Sequence, residues 1–331
     1  EDQVKSKQDE KFMREVYPEE KPLEVTLKGI TRKIYYKIVD DNLENIEFHY
    51  DNTKFELDEL FKTYYFDILK SHSNSYIKNI DTLRLVDVKE VQNTDGTKKH
   101  ILYTQRTDYF DHLLTNRAID YPIRGKASLR HIFESGPKIK ELNQSKFANQ
   151  IGFNCLVVLS DKTIILPRRS KNATYSKNKV TASLTGRLPM TFKTGSTEKE
   201  LETFIKDEAK MTLGFTDELL KKAKCEICSI TRNLYEGGKP QIYFLLHFPE
   251  FSSEDYYLLR NKDLELHENE NKLDRNVRLH ITDIDSIKFI GKKDRIKMSN
   301  KFDKNHKINV RPEKSFFVNL SYVLNENRSA V

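Results

Sequence analysis

Residues 195–215 read GSTEKELETFIKDEAKMTLGF, a stretch that places acids where a helix would carry them. Thr197 followed by Glu200 is a capping box and predicts a helix start at that point. Leu201, Phe204, Ile205, Ala209 and Thr212 recur at helical spacing and predict its buried face. At about 100° per residue, Glu208 falls about 20° from Leu201, inside the apolar stripe. A carboxylate so placed needs a partner or a functional task. The task such acids can serve is Mg²⁺ binding, because that ion takes oxygen ligands, usually one or two carboxylates plus substrate phosphates. Met211 and Thr212, one turn later on the same side, offer a thioether and a hydroxyl where the ion wants carboxylates. Glu198 and Glu202 share a face turned about 80–120° away from Glu208, and Asp207 adds a further acid. One octahedral ion would not gather them. The helix therefore reads either as an ordinary amphipathic helix with one paired Glu or as part of a site.

Other chemistries find less support. Cys225 and Cys228 form a C-x2-C with no second Cys or His pair nearby to complete a zinc site, and with Cys155 they read as core thiols of a reducing compartment. His49, His72, His100, His112 and His131 show neither metal-ligand spacing nor a paired nucleophile, and no phosphate-cradling G-x-x-x-x-G-K occurs. Residues 291–328 hold ten Lys/Arg against four Asp/Glu. That part reads as a solvated face or as a surface for an anionic partner. Charge alone does not make it a nucleic-acid interface, and no motif for a specific nucleic-acid polymer accompanies it.

The elements that must position these groups follow from patterning. The 331 residues, 37% apolar and rich in Tyr and Phe, suffice for one large or two smaller folded units. Residues 23–39 alternate as one or two strands, and 55–69 carry a mostly apolar helical band. Residues 83–91 and 100–105 flank Asp95-Gly96, a hairpin signal, and 109–117 predict a short helix. After a region broken by Gly125, Gly136 and Pro137, strands are expected at 152–159, 163–167 and 181–188. The helix from Thr197 follows, then a hairpin-like pair, 225–234 and 241–248, joined by EGGKP. Strands around one helix predict an α+β sandwich of mixed sheet. The expected division is a charged segment 1–22, an α+β unit 23–140 and a second unit 141–331.

The order strand, turn, strand ending in basic residues, glycine-containing strand, helix, hairpin resembles a Nudix domain over about residues 150–250. NCLVVLSDKTIILPRRS is similar to the opening hairpin of that family and ASLTGRL to the strand feeding its signature helix. The active motif reads G-x5-E-x7-R-E-U-x-E-E-x-G-U. Anchored on Gly214-Phe215, its R-E pair falls on Asp207-Glu208 and its E-E pair on Met211-Thr212. The frame is kept and the metal ligands are absent, so the box is degenerate and Glu208 is vestigial. The stretches QRTDYFDHLLTNRAID, SLR and SKFANQIGFNCLVVLSDK are further similar to the SMODS-associated Nudix-domain proteins of bacterial cyclic-oligonucleotide-based antiphage signalling, CBASS.

The resemblance implies a Nudix-like sandwich preceded by a smaller α+β domain. It implies a non-catalytic sensor of a cyclic oligonucleotide that needs no cofactor and self-associates as a homo-oligomer. It also implies transmembrane helices upstream, so that the full-length protein sits on the cytoplasmic side of the inner membrane. A chain opening at Glu1 in a charged segment suits that arrangement. Arg168, Arg169, Arg187 and Lys193 are then expected to hold phosphates, and Tyr175, Tyr235 and Tyr243 to stack on bases. Arg106, Tyr109, Asn116 and Arg130 form a second tier at the domain interface or ligand. The alternative is a working hydrolase of a nucleoside-diphosphate-linked substrate that uses Mg²⁺ through a rearranged site.

Overall fold

A computed structural model describes residues 7–41, 43–71, 77–125, 127–169, 178–266, 278–292, 294–302 and 307–324. The N-terminal part runs α1 (Glu10–Val16), β1 (Leu23–Leu27), β2 (Ile30–Ile34), β3 (Tyr36–Asp40), β4 (Ile46–Lys54), α2 (Glu59–Thr63) and α3 (Tyr65–Lys70). Next come β5 (Asp81–Gln92), β6 (Lys98–Asp108), α4 (Tyr109–Leu114), β7 (Pro122–Arg124), β8 (Ala127–Ser128) and α5 (Leu129–Phe133). The middle holds β9 (Gly152–Leu159), β10 (Thr163–Arg168), β11 (Leu184–Arg187), α6 (Glu198–Leu213), α7 (Asp217–Lys222), β12 (Lys224–Asn233) and β13 (Lys239–Phe248). The last part is α8 (Ser253–Leu266), β14 (Arg278–Asp283), β15 (Lys288–Ile290), β16 (Arg295–Ser299), β17 (Lys307–Val310) and α9 (Lys314–Leu324). The chain is α+β with several sheets, as its patterning predicts.

The organising element is a seven-stranded sheet in the order β14-β10-β9-β13-β12-β3, with β11 also on β9. Its centre is the parallel pair β9–β13, and both strands are apolar almost throughout. A central strand needs apolar residues on both faces when both are covered. The period of two then sorts one run into two cores. From β9, Leu156 and Val158 enter one core while Phe153, Cys155, Val157 and Leu159 enter the other. From β13, Tyr243 and Leu245 join the first and Ile242, Phe244, Leu246 and Phe248 the second. The first core is completed by α9 and by Met13, Val25 and Ile34. The second is completed by α6 and by Phe48, Leu83, Leu85 and Leu102 of the three-stranded sheet β4-β6-β5.

Several expectations change here. A boundary near residue 140 separates neither core, because β3 extends the large sheet beside β12 and the β4-β6-β5 sheet packs into the second core. The helix expected over 55–69 is two short ones meeting at Tyr64. On α6 the capping box at Thr197 and Glu200 is present and Gly214 ends the helix at φ 77°, but Thr212 is exposed and Leu213 takes the buried place. The basic C-terminal part is largely folded: α9 is buried along most of its length, so KSFFVNLSYVL is core rather than a solvated face. Asp95-Gly96 turns the β5–β6 hairpin as expected. Among the described residues no helix is long and apolar enough to cross a membrane.

Candidate functional site

A cleft of about 250 Å³ opens where α4 meets the starts of β9 and β13 and the end of β11. Sheet register builds its floor. Gly152 at the start of β9 stands between Arg187 of β11 and Gln241 of β13, and the next residue, Phe153, stands between Gly186 and Ile242. Both glycines are there for room. A Cβ on Gly152 would lie 3.2 Å from Lys239 Nζ, and one on Gly186 would lie 2.7 Å from the Phe153 ring. The missing side chains let a lysine cross the strand and a ring fill the floor.

Four cations line this cleft: Arg117, Arg169, Arg187 and Lys239. Glu313 is the one carboxylate among the described lining residues. Below, Glu236 contacts Arg117 and lies 4.0 Å from Lys239 Nζ, so one buried acid serves two cations. Lys239 is 8% exposed, and burial lowers its pKa against the pull of Glu236 and Glu313, with Arg117 and Arg187 adding repulsion. Burial likewise lowers Arg187, whose guanidinium lies 5.1 Å from the centre of the Tyr109 ring. Next to them His112 is 1% exposed, and burial first, then Lys239, Arg117 and Arg187, hold its pKa well below the ordinary value. The imidazole is therefore neutral. Gln150, Asn154, Thr185 and Gln241 add uncharged polar groups. Such a lining suits an anion with a flat group over Tyr109.

The sequence-predicted residues divide. Arg169, Arg187 and Tyr109 come together in the cleft. Arg168 does not line it, and its Nε donates to the Asn178 carbonyl at 3.2 Å. Lys193 sits on an exposed loop with Nζ 3.8 Å from the centre of the Tyr50 ring. Tyr235, in a short 3-10 turn between β12 and β13, and Tyr243, on β13, are both fully buried in the first core, away from the residues that line the cleft. The Tyr235 hydroxyl accepts from the Tyr35 amide, and the Tyr243 hydroxyl donates to Gln241 Oε1 at 2.8 Å. Neither ring can stack on a base. Tyr175 lies outside the described residues.

In the second tier, Arg106 pairs with Asp81 at 2.9 Å. Asn116 is buried, and its side chain joins Asn149 to the Glu236 carbonyl. Arg130 is buried against Asp120 in a two-pronged ion pair at 2.7 and 2.9 Å. Neither lines the cleft. Glu208 is half-buried beside α6's apolar face, its pKa raised by burial and then by Asp207, while Met211 is 65% exposed. None of the α6 acids lines the cleft. Cys155, Cys225 and Cys228 are not joined in disulfides, and burial pushes the Cys225 pKa up to about 12.

Sequence reasoning missed Arg117, His112, Lys239 and Glu313. The one available signal was Lys239 itself, a lone cation opening the apolar strand KPQIYFLLHF. The sequence matches no protein-family model and no curated protein. Among solved structures it is similar to DR0079 from Deinococcus radiodurans at 14% identity and a TM-score of 0.23, over 30% of this chain and 55% of that one, so the match spans about half of the neighbour's length.

Proposed function

We propose that this chain is a binding module for a phosphate-bearing nucleotide, with a cyclic oligonucleotide as the ligand class. The ligand occupies the cleft between α4 and β9, β11 and β13 and is held without metal-dependent cleavage. The observation that carries this reading is the convergence of Arg117, Arg169, half-buried Arg187 and buried Lys239 on one cleft where Glu313 is the one carboxylate among the described lining residues. Phosphate oxygens would supply the charge that the protein leaves out, and charge-assisted hydrogen bonds to Arg and Lys are the strong ones. Tyr109, already under a guanidinium, offers a face for a base.

In this reading α6 and the seven-stranded sheet form a Nudix-like sandwich whose box helix serves packing, through Leu201, Ile205, Ala209 and Leu213. Binding then promotes self-association and passes the signal to a membrane anchor outside this sequence, placing the chain on the cytoplasmic side of the inner membrane in antiphage defence.

Calorimetric titration of the purified chain tests the reading. The ligands are cyclic di- and trinucleotides, ADP-ribose and inorganic phosphate, each with EDTA or with Mg²⁺. Saturable binding of one cyclic nucleotide in EDTA, with a raised melting temperature by mass action, supports it. Turnover of ADP-ribose that requires Mg²⁺ sinks it in favour of a hydrolase. Size-exclusion chromatography with the bound nucleotide checks self-association.

A further inference from the structure

A second cluster lies away from the cleft, where the edge of the large sheet meets the three-stranded one. Asp40 ends β3, and Glu90 on β5 faces His100 on β6 as a cross-strand pair. His100 is 1% exposed, and its two ring nitrogens face different surroundings. Nδ1 is 2.9 Å from the Glu44 carbonyl oxygen, which can only accept, so Nδ1 carries the hydrogen. Nε2 is 2.7 Å from Asp40 Oδ2 and 3.7 Å from Glu90 Oε2, and neither oxygen is in line to accept a hydrogen bond from it. With its hydrogen on Nδ1, the imidazole holds the Nε2 lone pair beside two carboxylates. A cation between them would stabilise that arrangement.

We propose that Asp40, Glu90 and His100 bind a divalent transition-metal ion, with Zn²⁺ as its representative. The ligand atoms of all three lie within 4.8 Å of one another. Zinc sits about 2.0–2.2 Å from imidazole nitrogen and carboxylate oxygen, which sets neighbouring ligands about 3–3.5 Å apart. The separations from Nε2, 2.7 and 3.7 Å, bracket that range. A ligating histidine ordinarily donates its other N–H to a carbonyl or carboxylate, and the Glu44 carbonyl fills that role. One nitrogen with two oxygens suits a borderline ion rather than Mg²⁺ or Ca²⁺, which prefer all-oxygen shells. Lys98 competes for Glu90, with Nζ 3.0 Å from Glu90 Oε1. Glu90 can keep that contact through Oε1 and give Oε2 to the metal. The ion would tie β3 of the large sheet to β5 and β6 of the small one.

The test uses the full chain after EDTA treatment and dialysis, titrated with Zn²⁺, and with Co²⁺ for its visible spectrum. The expected result is one saturable site, a raised melting temperature and a Co²⁺ spectrum with no thiolate charge-transfer band. Glu90 is half exposed, so Glu90→Gln keeps the fold and should weaken binding at least about tenfold. His100→Gln should abolish it, and Lys98→Ala should leave it equal or tighter. The proposal is overturned by absence of saturable binding, by a thiolate band placing the ion on cysteine, or by wild-type affinity in Glu90→Gln.

Discussion

The buried Arg130 and the cluster of cations in the cleft differ in how their charge is met. Around Arg130, Asp120 accepts two hydrogen bonds from the guanidinium, and the carbonyls of Leu234 and Tyr235 and the Tyr17 hydroxyl accept the other three. Burial alone would lower its pKa, yet Asp120 and Tyr17 outweigh that and raise it. In the cleft the balance runs the other way: burial lowers Arg187 and Lys239, and Glu236 is shared between Arg117 and Lys239. A buried cation with its full set of partners is architecture. One left short of counter-charge is where a ligand can add what is missing.

The sharpest way to break this contrast is Asp120→Ala. It strands a buried charge and should reduce stability by about 3–5 kcal/mol, read by urea denaturation. A loss under about 1 kcal/mol would show that Arg130 is not held by that pair. Arg187→Ala should weaken nucleotide binding by about 1.5–3 kcal/mol with stability nearly unchanged. Equal calorimetric affinity would remove Arg187 from the site. Lys239→Met should lower affinity about tenfold, since hydrogen bonds to charged groups are worth about that much, while its denaturation midpoint stays equal or rises. A fall of more than about 2 kcal/mol would instead make Lys239 a structural partner of Glu236.

Asp111 sharpens the electrostatics beside the cleft. Burial, then Asp108, raises its pKa from 3.8 to about 6, against the Thr107 hydrogen bond and Lys54. Between those values the native state holds a proton that the unfolded chain has released. Its contribution is therefore present below pH 3.8 and lost as pH rises through about 6. Denaturation midpoints should show that component in wild type and not in Asp111→Asn; parallel profiles would refute it. The smallest effect separates two neighbours. Arg169→Ala should weaken binding, and Arg168→Ala should leave it within about 0.5 kcal/mol, the usual range for a surface change. The reverse order would mean that the cleft runs along the other side of β10.

Local signals were legible where a short segment carries its own instruction. Thr197 and Glu200 cap α6 through their own side chains, and Asp95-Gly96 needs only its neighbours to turn a hairpin. The apolar run of β9 announced a central strand. Which face each residue takes was not legible. Tyr243 and Ile242 differ by one position yet enter opposite cores, so a tyrosine expected to stack on a base became packing. The error at Thr212 and Leu213 is of the same kind, one residue of helical phase at a helix end.

The sequence by itself determined the α+β class, the central strands, the capped helix and the absence of magnesium-binding carboxylates at Met211 and Thr212. It also held Arg169, Arg187 and Tyr109 among the candidates. Only the tertiary structure decided that Arg117 and Lys239, 122 positions apart by number, share Glu236, or that Asp40, Glu90 and His100 converge between two sheets. The physical reason is that a capping or turn signal acts over a few bonds. Counter-charge and burial depend on which distant strands the hydrophobic cores bring side by side, and no spacing along the chain encodes that directly.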